Sequence, residues 1–542
     1  MGLIMNLETL LAARLAVAFE AVAGDPVDPA VRASQHADFQ SGAALALARR
    51  LGRAPREIAA EVVAATDLTG LAEVEISGPG FLNLTVLDDV LASLLAEPDS
   101  RPGITSERVV IDYSSPNVAK ELHVGHLRST VIGDALARLF TWAGHDVVRA
   151  NHLGDWGTQF GLLIEHLADL SSGDTDEFSL SDLTDFYRQA RVKFDDDDEF
   201  RTRARLRVVA LQGGDEVTRA MWRRLVEQSE RLFVADYARL GITLGPGDFA
   251  GESSYQDQLA SVVDELTERG LLVESEGALC AFPAGFTGRD GEPLPLIVRK
   301  SDGGFGYAAT DLAALRHRVR DLKATRLLYV VGAPQRTHFQ MVFAVAHNAG
   351  WLPDGITAEH IGFGSILGSD GKMLKTRSGE TIKLVDLLDE ADERATSPAV
   401  GIGAIKYADL ASDRRSDYVF DWDRMLAATG NTGPYLQYAV ARIRSLLRKA
   451  EVVPGAVVLG DPAERRLALT LLGFEPAVAA AIELREPHRL AGHLHEVAVA
   501  FSAFYERCPI RSSPSRLALA ARTGETLRLG LDLLGVPIPD EM

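Results

Sequence analysis

The sequence predicts an α/β protein with a Rossmann-like central domain, an N-terminal α/β domain and a C-terminal α-helical bundle. Two short apolar runs, at 109–112 and 147–150, each precede a polar, glycine-containing loop, as parallel strands of an open α/β sheet often do. Residues 327–331 form a near-continuous apolar run that is typical of a buried parallel strand, and residues 360–366 are predicted to form another strand. From about residue 402 the pattern is helical and rich in leucine and alanine.

Three domains are expected, because 542 residues are too many for one hydrophobic core. Residues 1–100 are predicted to form a small domain of helices and two strands, followed by a linker at 98–105. The Rossmann-like domain is expected at 106–400, with an insertion at about 170–290. The helical bundle is expected at 402–542.

The loop at 114–129 is the most informative stretch of the sequence. It lies between a predicted strand and a helical pattern, and it carries His123 and His126 with Gly125 between them. A helix N-terminus leaves backbone N–H groups free and favours an anion, and a glycine lets a phosphate or a flat ring approach the backbone. A second loop, at 151–161, also follows a strand, so both loops should lie at the carboxyl edge of one sheet. These features predict a nucleotide site.

The same residues resemble a known family. The tetrapeptide at 123–126 is similar to the "HIGH" signature of class I aminoacyl-tRNA synthetases, and the sixteen residues at 115–130 resemble the arginyl members of that family. The segment Lys-Met-Leu-Lys-Thr at 372–376 resembles the family's "KMSKS" loop, with departures at Leu374 and Thr376. The resemblance extends to the N-terminal extension, at 36–40 and 78–83, and to the anticodon-binding bundle, at 430–438 and 486–490.

The resemblance implies a class I synthetase catalytic domain that activates an amino acid with ATP. In that reaction a carboxylate attacks the α-phosphate, so the protein must position the reactants and neutralise phosphate charge. The expected catalytic residues are His123, His126, Lys372 and Lys375. These four residues, with Pro116 and Gly125, are expected to bind ATP.

A pocket for arginine should contain carboxylates, because the guanidinium group is a planar, permanently charged set of hydrogen-bond donors. The family resemblance implies that Glu252, Tyr307, Asp311 and Gln335 surround the arginine side chain. It also implies that Ser115 and Asn117 hold the amino-acid end. Tyr307 and Asp311 are four residues apart and would share a helix face. Asp311 could instead be a helix cap, since it follows Thr310 and precedes an apolar helical run.

The implied substrates are L-arginine, ATP and tRNA(Arg), with magnesium accompanying the nucleotide and no metal held by the protein. The resemblance also implies that arginine activation requires tRNA. We expect a cytoplasmic monomer, and the two isolated cysteines suit a reducing cytosol. It should not enter a membrane, because no apolar run approaches the ~20 residues that a bilayer requires. The net charge of −20 does not exclude RNA, since the Debye length of about 8 Å lets basic patches act locally.

Several alternatives remain at this stage. The two signature histidines and His152 could form a zinc site, and a Lys-x-x-Lys loop is often only a solvated surface. A cysteinyl synthetase would need cysteines at zinc spacing, whereas Cys280 and Cys508 stand far apart. A non-catalytic tRNA-binding relative should have lost signature histidines or lysines. The N-terminal domain could serve for packing alone.

Overall fold

The computed structural model of the chain describes residues 7–97, 101, 105–171, 183–288, 290–375 and 381–540. It divides into two units. One unit contains residues 1–105 together with 428–532 and 538–542, and the other contains residues 106–427 together with 533–537. Most of the linker expected at 98–105, and Thr376 of the lysine loop, lie outside the described residues.

The N-terminal segment contains four strands, β1 (Val31–Ala33), β2 (Phe39–Ser41), β3 (Ala72–Ser77) and β4 (Phe81–Val86). They form an antiparallel sheet in the order β1-β2-β4-β3, which is covered by helices. Residues of alternating polarity form its central hairpin, and Leu82, Leu84 and Val86 are buried on one face. The Gly-Pro-Gly turn joins β3 to β4, as the sequence predicts. The helices are α1 (Leu7–Ala23), α2 (Ala43–Leu51), α3 (Pro55–Ala65) and α4 (Asp88–Ala96).

The central segment begins with the Rossmann-like strands and includes the inserted helices. Its elements are β5 (Arg108–Asp112), α5 (Val124–Trp142), β6 (Asp146–Ala150), α6 (Gln159–Ser171), α7 (Leu183–Asp196), α8 (Asp198–Gly213), α9 (Glu216–Leu240), α10 (Gln256–Glu268), β7 (Val273–Ser275), β8 (Ala278–Ala281), β9 (Leu296–Arg299), α11 (Tyr307–Arg320), β10 (Arg326–Tyr329), α12 (Arg336–Asn348), β11 (Thr357–His360), β12 (Ile366–Leu367), α13 (Leu384–Arg394), α14 (Pro398–Leu410), β13 (Tyr418–Val419) and α15 (Trp422–Met425).

Four of these strands form a wholly parallel sheet in the order β11-β10-β5-β6. In register, Tyr329 pairs with Asp112, and Asp112 pairs with Ala150, so the loops that follow β5, β6 and β10 all begin at one edge. Val109, Val110 and Ile111 are fully buried, which explains the uninterrupted apolar run of β5. The sheet edge predicted from the two polar loops is therefore present.

One predicted strand is wrong. The sequence at 360–366 was expected to be a single strand, but β11 ends at His360 and β12 begins at Ile366. Between them, Phe363 forms only an isolated parallel bridge with Gly332, and Gly364 lies so close to the Ser416 backbone that a Cβ atom would be 2.7 Å from its carbonyl oxygen. Glycine is needed at this contact, and the close approach replaces strand pairing.

The acidic run at 195–199 is exposed to solvent. Asp197 caps α8 by accepting hydrogen bonds from the Glu199 and Phe200 backbone N–H groups. Of the arginines that follow, Arg203 and Arg207 bind the buried carboxylate of Glu165, at 2.8 Å in both pairs. Their charge is therefore used to hold α8 against α6.

The C-terminal segment consists of α16 (Gly433–Arg448), α17 (Pro462–Leu472), α18 (Phe474–Leu484), α19 (His488–Arg507) and α20 (Pro514–Leu533). Residue 402, where the helical bundle is expected to begin, lies within α14, and the two compact units divide after Ala427. The C-terminal helices share a unit with the N-terminal segment. Leu459, Leu469 and Leu472 pack against the N-terminal core, and Arg465 pairs with Asp38 at 2.5 Å.

The stretch Pro462–Leu484 is long and apolar enough to cross a membrane by length and composition, with a mean hydropathy of 1.7. It is not one uninterrupted helix, because α17 ends and α18 begins at Gly473. Glu464 is buried within it and receives a hydrogen bond from Arg516 at 2.6 Å. These features fit a pair of packed bundle helices.

Candidate active site

The loop after β5 holds an unusual backbone conformation. Ser114 and Ser115 have φ values of 73° and 48°, a left-handed conformation that costs a non-glycine residue about 1–3 kcal/mol. Fixed partners offset this cost: the Ser114 N–H donates to Ser129 Oγ at 2.9 Å, and the Ser115 N–H donates to Asn151 Oδ1 at 2.8 Å. The loop is therefore fixed in shape before any substrate arrives.

The two signature histidines cap helix α5. The backbone N–H of Gly125 donates to His123 Nδ1 at 3.0 Å, and the backbone N–H of His123 donates to His126 Nδ1 at 3.1 Å. A Cβ atom at Gly125 would be only 2.7 Å from the His123 ring, so this arrangement requires glycine. Because each Nδ1 accepts a hydrogen bond, the neutral rings carry their proton on Nε2.

Burial keeps both histidines uncharged at neutral pH. It lowers the pKa of His126 to about 3, with a further contribution from His123. Burial also lowers the pKa of His123, and the positive charge of Lys120 acts in the same direction. The two rings therefore offer neutral N–H donors, which suit the oxygen atoms of a phosphate.

Two glycines bring distant loops together at the sheet edge. Gly154 lies against Asn117, whose Oδ1 would be 2.1 Å from a Cβ atom at that position, and Gly251 lies equally close to Asp155. The Glu252 N–H then donates to the Leu153 carbonyl at 3.0 Å. These contacts carry Glu252 to the same edge as the signature loop, although more than a hundred residues separate them in sequence.

A cavity of about 520 Å³ opens at this edge. It is lined by eight of the residues predicted from the sequence: Ser115, Asn117, Gly125, His126, Glu252, Tyr307, Asp311 and Gln335. His123 adjoins it through its ring contact with His126, at 4.0 Å between centroids. Pro116 is a buried residue of the signature loop, and its carbonyl accepts a hydrogen bond from the Gly154 N–H.

Helix α11 supplies two of the lining residues. Tyr307 begins the helix and is 74% exposed, so its ring stands at the cavity mouth without close packing. Asp311 lies one turn further along and is hydrogen-bonded to His338 Nε2 at 2.6 Å. The cap of the helix is Gly306, which rules out the alternative that Asp311 is an N-cap.

The cavity is strongly acidic. Burial, together with the neighbouring charges of Asp311 and Asp155, raises the pKa of Glu252 to about 8. Among the described residues, no side chain donates a hydrogen bond to the Glu252 carboxylate. A cation placed between Glu252 and Asp311 would offset the cost of burying a charged carboxylate and the repulsion between the two acids.

The predicted lysine loop lies outside this cavity. Lys372 and Lys375 are exposed, and they line a separate cavity of about 630 Å³ with Phe420 and Trp422. The loop starts as a tight turn from β12, where the Leu374 N–H donates to the Ile366 carbonyl. After the loop, the chain pairs with the signature loop, as the Val124 N–H donates to the Ile382 carbonyl at 3.0 Å. The ends of the loop are thus tied to the site, while its lysines extend into solvent.

Comparison with known proteins decides the family. Residues 91–399 match the model "tRNA synthetases class I (R), catalytic domain", residues 436–542 match the "DALR anticodon binding domain", and residues 5–86 match the "Arginyl tRNA synthetase N terminal domain". The "Arginine--tRNA ligase" of Thermobifida fusca is 51% identical over 99% of both chains.

The chain belongs to the arginyl-tRNA synthetase family.

Solved structures of arginyl-tRNA synthetases have the same architecture. The enzyme from Plasmodium falciparum superposes with a TM-score of 0.86 over 100% of both chains at 28% identity. The enzyme from Thermus thermophilus gives 0.83 at 26% identity, over 99% of this chain and 100% of the other. The predicted fold class is confirmed by these comparisons, and so is the family resemblance.

Sequence reasoning missed several lining residues of this arginyl-tRNA synthetase family member, namely Asp112, Ser114, Ser129, His338, Phe339 and Phe363. His338 could have been found, because it follows Gln335 by three residues just beyond a predicted strand and so shares its helical face. In the sequence, Asp112 could be recognised only as the last residue of a predicted strand, which gives no sign of a place in the site. Of the described residues, no group of three histidine, cysteine or acidic side chains is placed to hold a metal ion.

Proposed function

We propose that the protein joins L-arginine to tRNA(Arg) through an arginyl-adenylate, releasing pyrophosphate and then AMP. The observation that carries the proposal is the acidic cavity at the sheet edge, next to two neutral, capped histidines, in a chain of the arginyl-tRNA synthetase family. An acidic cavity suits a guanidinium group, and neutral donors suit a phosphate.

In the first step, an oxygen of the arginine carboxylate attacks the α-phosphorus of ATP. The new O–P bond forms as the bond from that phosphorus to pyrophosphate breaks. We propose that His123 and His126 donate from Nε2 to phosphate oxygens, while Gly125 and Pro116 give the loop the shape that admits the nucleotide. Magnesium is expected to accompany ATP as a counter-ion of its phosphates.

Lys372 and Lys375 are proposed to neutralise the charge that gathers on pyrophosphate. Both are exposed at the tip of a loop whose base is hydrogen-bonded to the signature loop at Val124. A flexible ammonium group can follow a leaving group, which a buried side chain cannot do. The loop must therefore move toward the cavity for the reaction.

The selection of arginine is proposed to depend on Glu252, Tyr307, Asp311 and Gln335 around the side chain, and on Ser115 and Asn117 at the amino-acid end. Two carboxylates can receive the guanidinium fork in charge-assisted bonds, and Tyr307 can cover its flat face. Neutral analogues such as citrulline would leave these carboxylates without a counter-charge. Editing is therefore unnecessary.

In the second step, a ribose hydroxyl of the tRNA 3′ end attacks the arginyl carbonyl carbon, and the bond from that carbon to AMP breaks. The C-terminal helices carry a cavity of about 550 Å³ lined by arginines, Lys449 and two tyrosines. Arg442 stacks on Tyr505 at 3.7 Å, and Tyr438 is 47% exposed. Cations beside exposed rings favour a single-stranded RNA loop, so we propose that this cavity receives the anticodon.

We propose the domain assignment in the same terms. Residues 1–100 would contact the outer corner of the tRNA, 106–400 would catalyse both steps, and 402–542 would bind the anticodon. In the N-terminal segment, Gln40 donates to Asn83 at 2.7 Å between neighbouring strands, which presents two amides on one face. We further propose that the protein acts as a cytoplasmic monomer without membrane contact, which sedimentation of the purified protein would test.

The decisive experiment is charging of purified tRNA with each of the twenty amino acids in turn. We expect arginine alone to be esterified, with AMP formed in equal amount. Charging with any other amino acid instead of arginine would contradict the proposal. Adenylate formation without transfer would restrict it to the first step.

A further inference from the structure

The proposed arginine site has two ends that come from different parts of the fold. Ser115, at the proposed amino-acid end, belongs to the loop after β5. Asp311, at the proposed side-chain end, belongs to α11. One methylene changes the binding free energy by only about 1–3 kcal/mol. A pocket that distinguishes side chains by length must therefore keep its two ends at a fixed separation, since a small shift would cancel that difference.

A buried ion pair connects the two ends. Asp112, the last residue of β5, accepts a hydrogen bond from Ser115 Oγ at 3.0 Å on its Oδ1 atom. Its Oδ2 atom lies 2.6 Å from the guanidinium of Arg318 on α11. The side chains of Asp112 and Arg318 are 7% and 2% exposed, so water does not weaken the pair.

Arg318 lies on the helix face that carries Asp311, since seven residues are about two helical turns. A helix is stiff over this length, so the position of Arg318 sets the position of Asp311. The Arg318 guanidinium also stacks over the Tyr329 ring, at 5.1 Å, on the strand next to β5. The arginine is thus held by two adjacent strands of the sheet.

Apolar packing alone would fix the height of α11 over the sheet less strictly. The hydrophobic contacts of α11 are non-directional, and similar contacts remain if the helix slides by a fraction of a turn. The ion pair between Asp112 and Arg318, at 2.6 Å and shielded from water, depends steeply on the separation of the two charges, so a shift of either partner by an ångström weakens it.

We propose that Asp112 and Arg318 are positioning residues that set the length of side chain accepted by the site. The proposal rests on the proposed function, since it assumes that arginine lies between Ser115 and Asp311. Neither residue is assigned a part in bond making. Their role is to hold α11 at one register relative to the signature loop.

The test compares arginine with homoarginine, which has one more methylene, in tRNA charging by the full-length protein. We expect Arg318→Lys to lower the arginine-to-homoarginine ratio of kcat/KM by about tenfold, because lysine keeps the charge but not the planar fork. The KM for ATP should change by less than about twofold, since the histidine caps do not depend on the pair.

Arg316→Lys is the matched control. Arg316 is two residues away on α11 and pairs with Glu265 of α10 at 2.7 Å, with no contact to β5. It should lower thermal stability without changing the ratio. A second variant, Asp112→Asn with Arg318→Met, removes both charges together and avoids leaving one buried charge unpaired. It should lower the ratio at least as far as Arg318→Lys.

Three results would overturn the proposal. They are an unchanged ratio in both Arg318 variants, an equal loss in Arg316→Lys, and a wild-type protein that charges homoarginine as well as arginine. Failure of the wild-type protein to charge arginine at all would instead contradict the proposed function. The two failures are therefore distinguishable in one set of assays.

Discussion

The two halves of the proposed ATP site are built in opposite ways. In the signature loop, Ser114 and Ser115 have their backbone N–H groups bound to fixed side chains, and His123 and His126 are locked as helix caps. In the lysine loop, Lys372 and Lys375 extend into solvent from a turn. The first half is ready before substrate binds, and the second must be recruited.

This contrast follows from the phosphate group that each half is proposed to bind. Donors that are already in place need no reorganisation when charge develops on the α-phosphate. Pyrophosphate must leave, so its cations must be able to move with it. If the cations were fixed as firmly as the histidines, pyrophosphate would be released slowly. If the histidines were as exposed as the lysines, the α-phosphate would not be held in position.

The largest effect expected from this contrast is a requirement for tRNA in the first step. If the lysine loop is in place in only about 1% of free molecules, arginine-dependent exchange of pyrophosphate into ATP should rise about a hundredfold when tRNA is added. The family resemblance leads to the same expectation. The assay should use tRNA without a usable 3′ end, so that transfer does not compete. Full exchange in rigorously tRNA-free enzyme would show that ATP and arginine order the loop by themselves.

The next effect concerns the lysine loop alone. Lys375→Ala should slow single-turnover adenylate formation by roughly 10–150-fold, because one charge-assisted contact contributes about 1.5–3 kcal/mol. Arginine binding should be nearly unchanged, since the lysine is absent from the acidic cavity. Lys375→Arg, which keeps the charge, should recover most of the rate. An unaltered rate in Lys375→Ala would remove this residue from the proposed catalytic set.

A smaller effect is expected in the proposed arginine pocket beside the signature loop. Asp311→Asn should reduce the preference for arginine over citrulline by about 30-fold, through the loss of one charged acceptor. Asp321→Asn is a matched control. The Asp321 carboxylate also contacts a histidine, His317 at 2.7 Å, but Asp321 does not line the cavity. If both variants kept the full preference, Asp311 would not face the guanidinium group.

The smallest effect is on pH dependence. The pKa of Glu252 is raised to about 8 by burial, and bound arginine should lower it by favouring the carboxylate. Arginine affinity should therefore be greatest above pH 8 and fall by up to about tenfold per unit as the pH drops below that value. Calorimetry at pH 7 in two buffers should detect proton release on binding. Glu252→Gln should abolish that release, and a wild-type protein without it would contradict the assignment.

The sequence predicted the parts of this architecture that depend on local patterns. Buried strands such as β5 are continuous apolar runs, and the change from strand to helix around His123 and His126 follows from the spacing of apolar residues on either side. The end of β11 at His360 could not be predicted, because it depends on the approach of Gly364 to Ser416, which is distant in sequence. Asp112 and Arg318 were missed for the same reason, since a buried ion pair has no local signature.

The division of the chain has a consequence for its synthesis on the ribosome. Leu459, Leu469 and Leu472 complete the core of the N-terminal segment, yet they are made about 350 residues after that segment ends. At about 5–20 residues per second, the delay is roughly 20–70 s. During this time, the apolar surface of the nascent N-terminal segment that Leu459, Leu469 and Leu472 later contact is exposed to solvent. We expect that face to be the part of the newborn chain that chaperones hold.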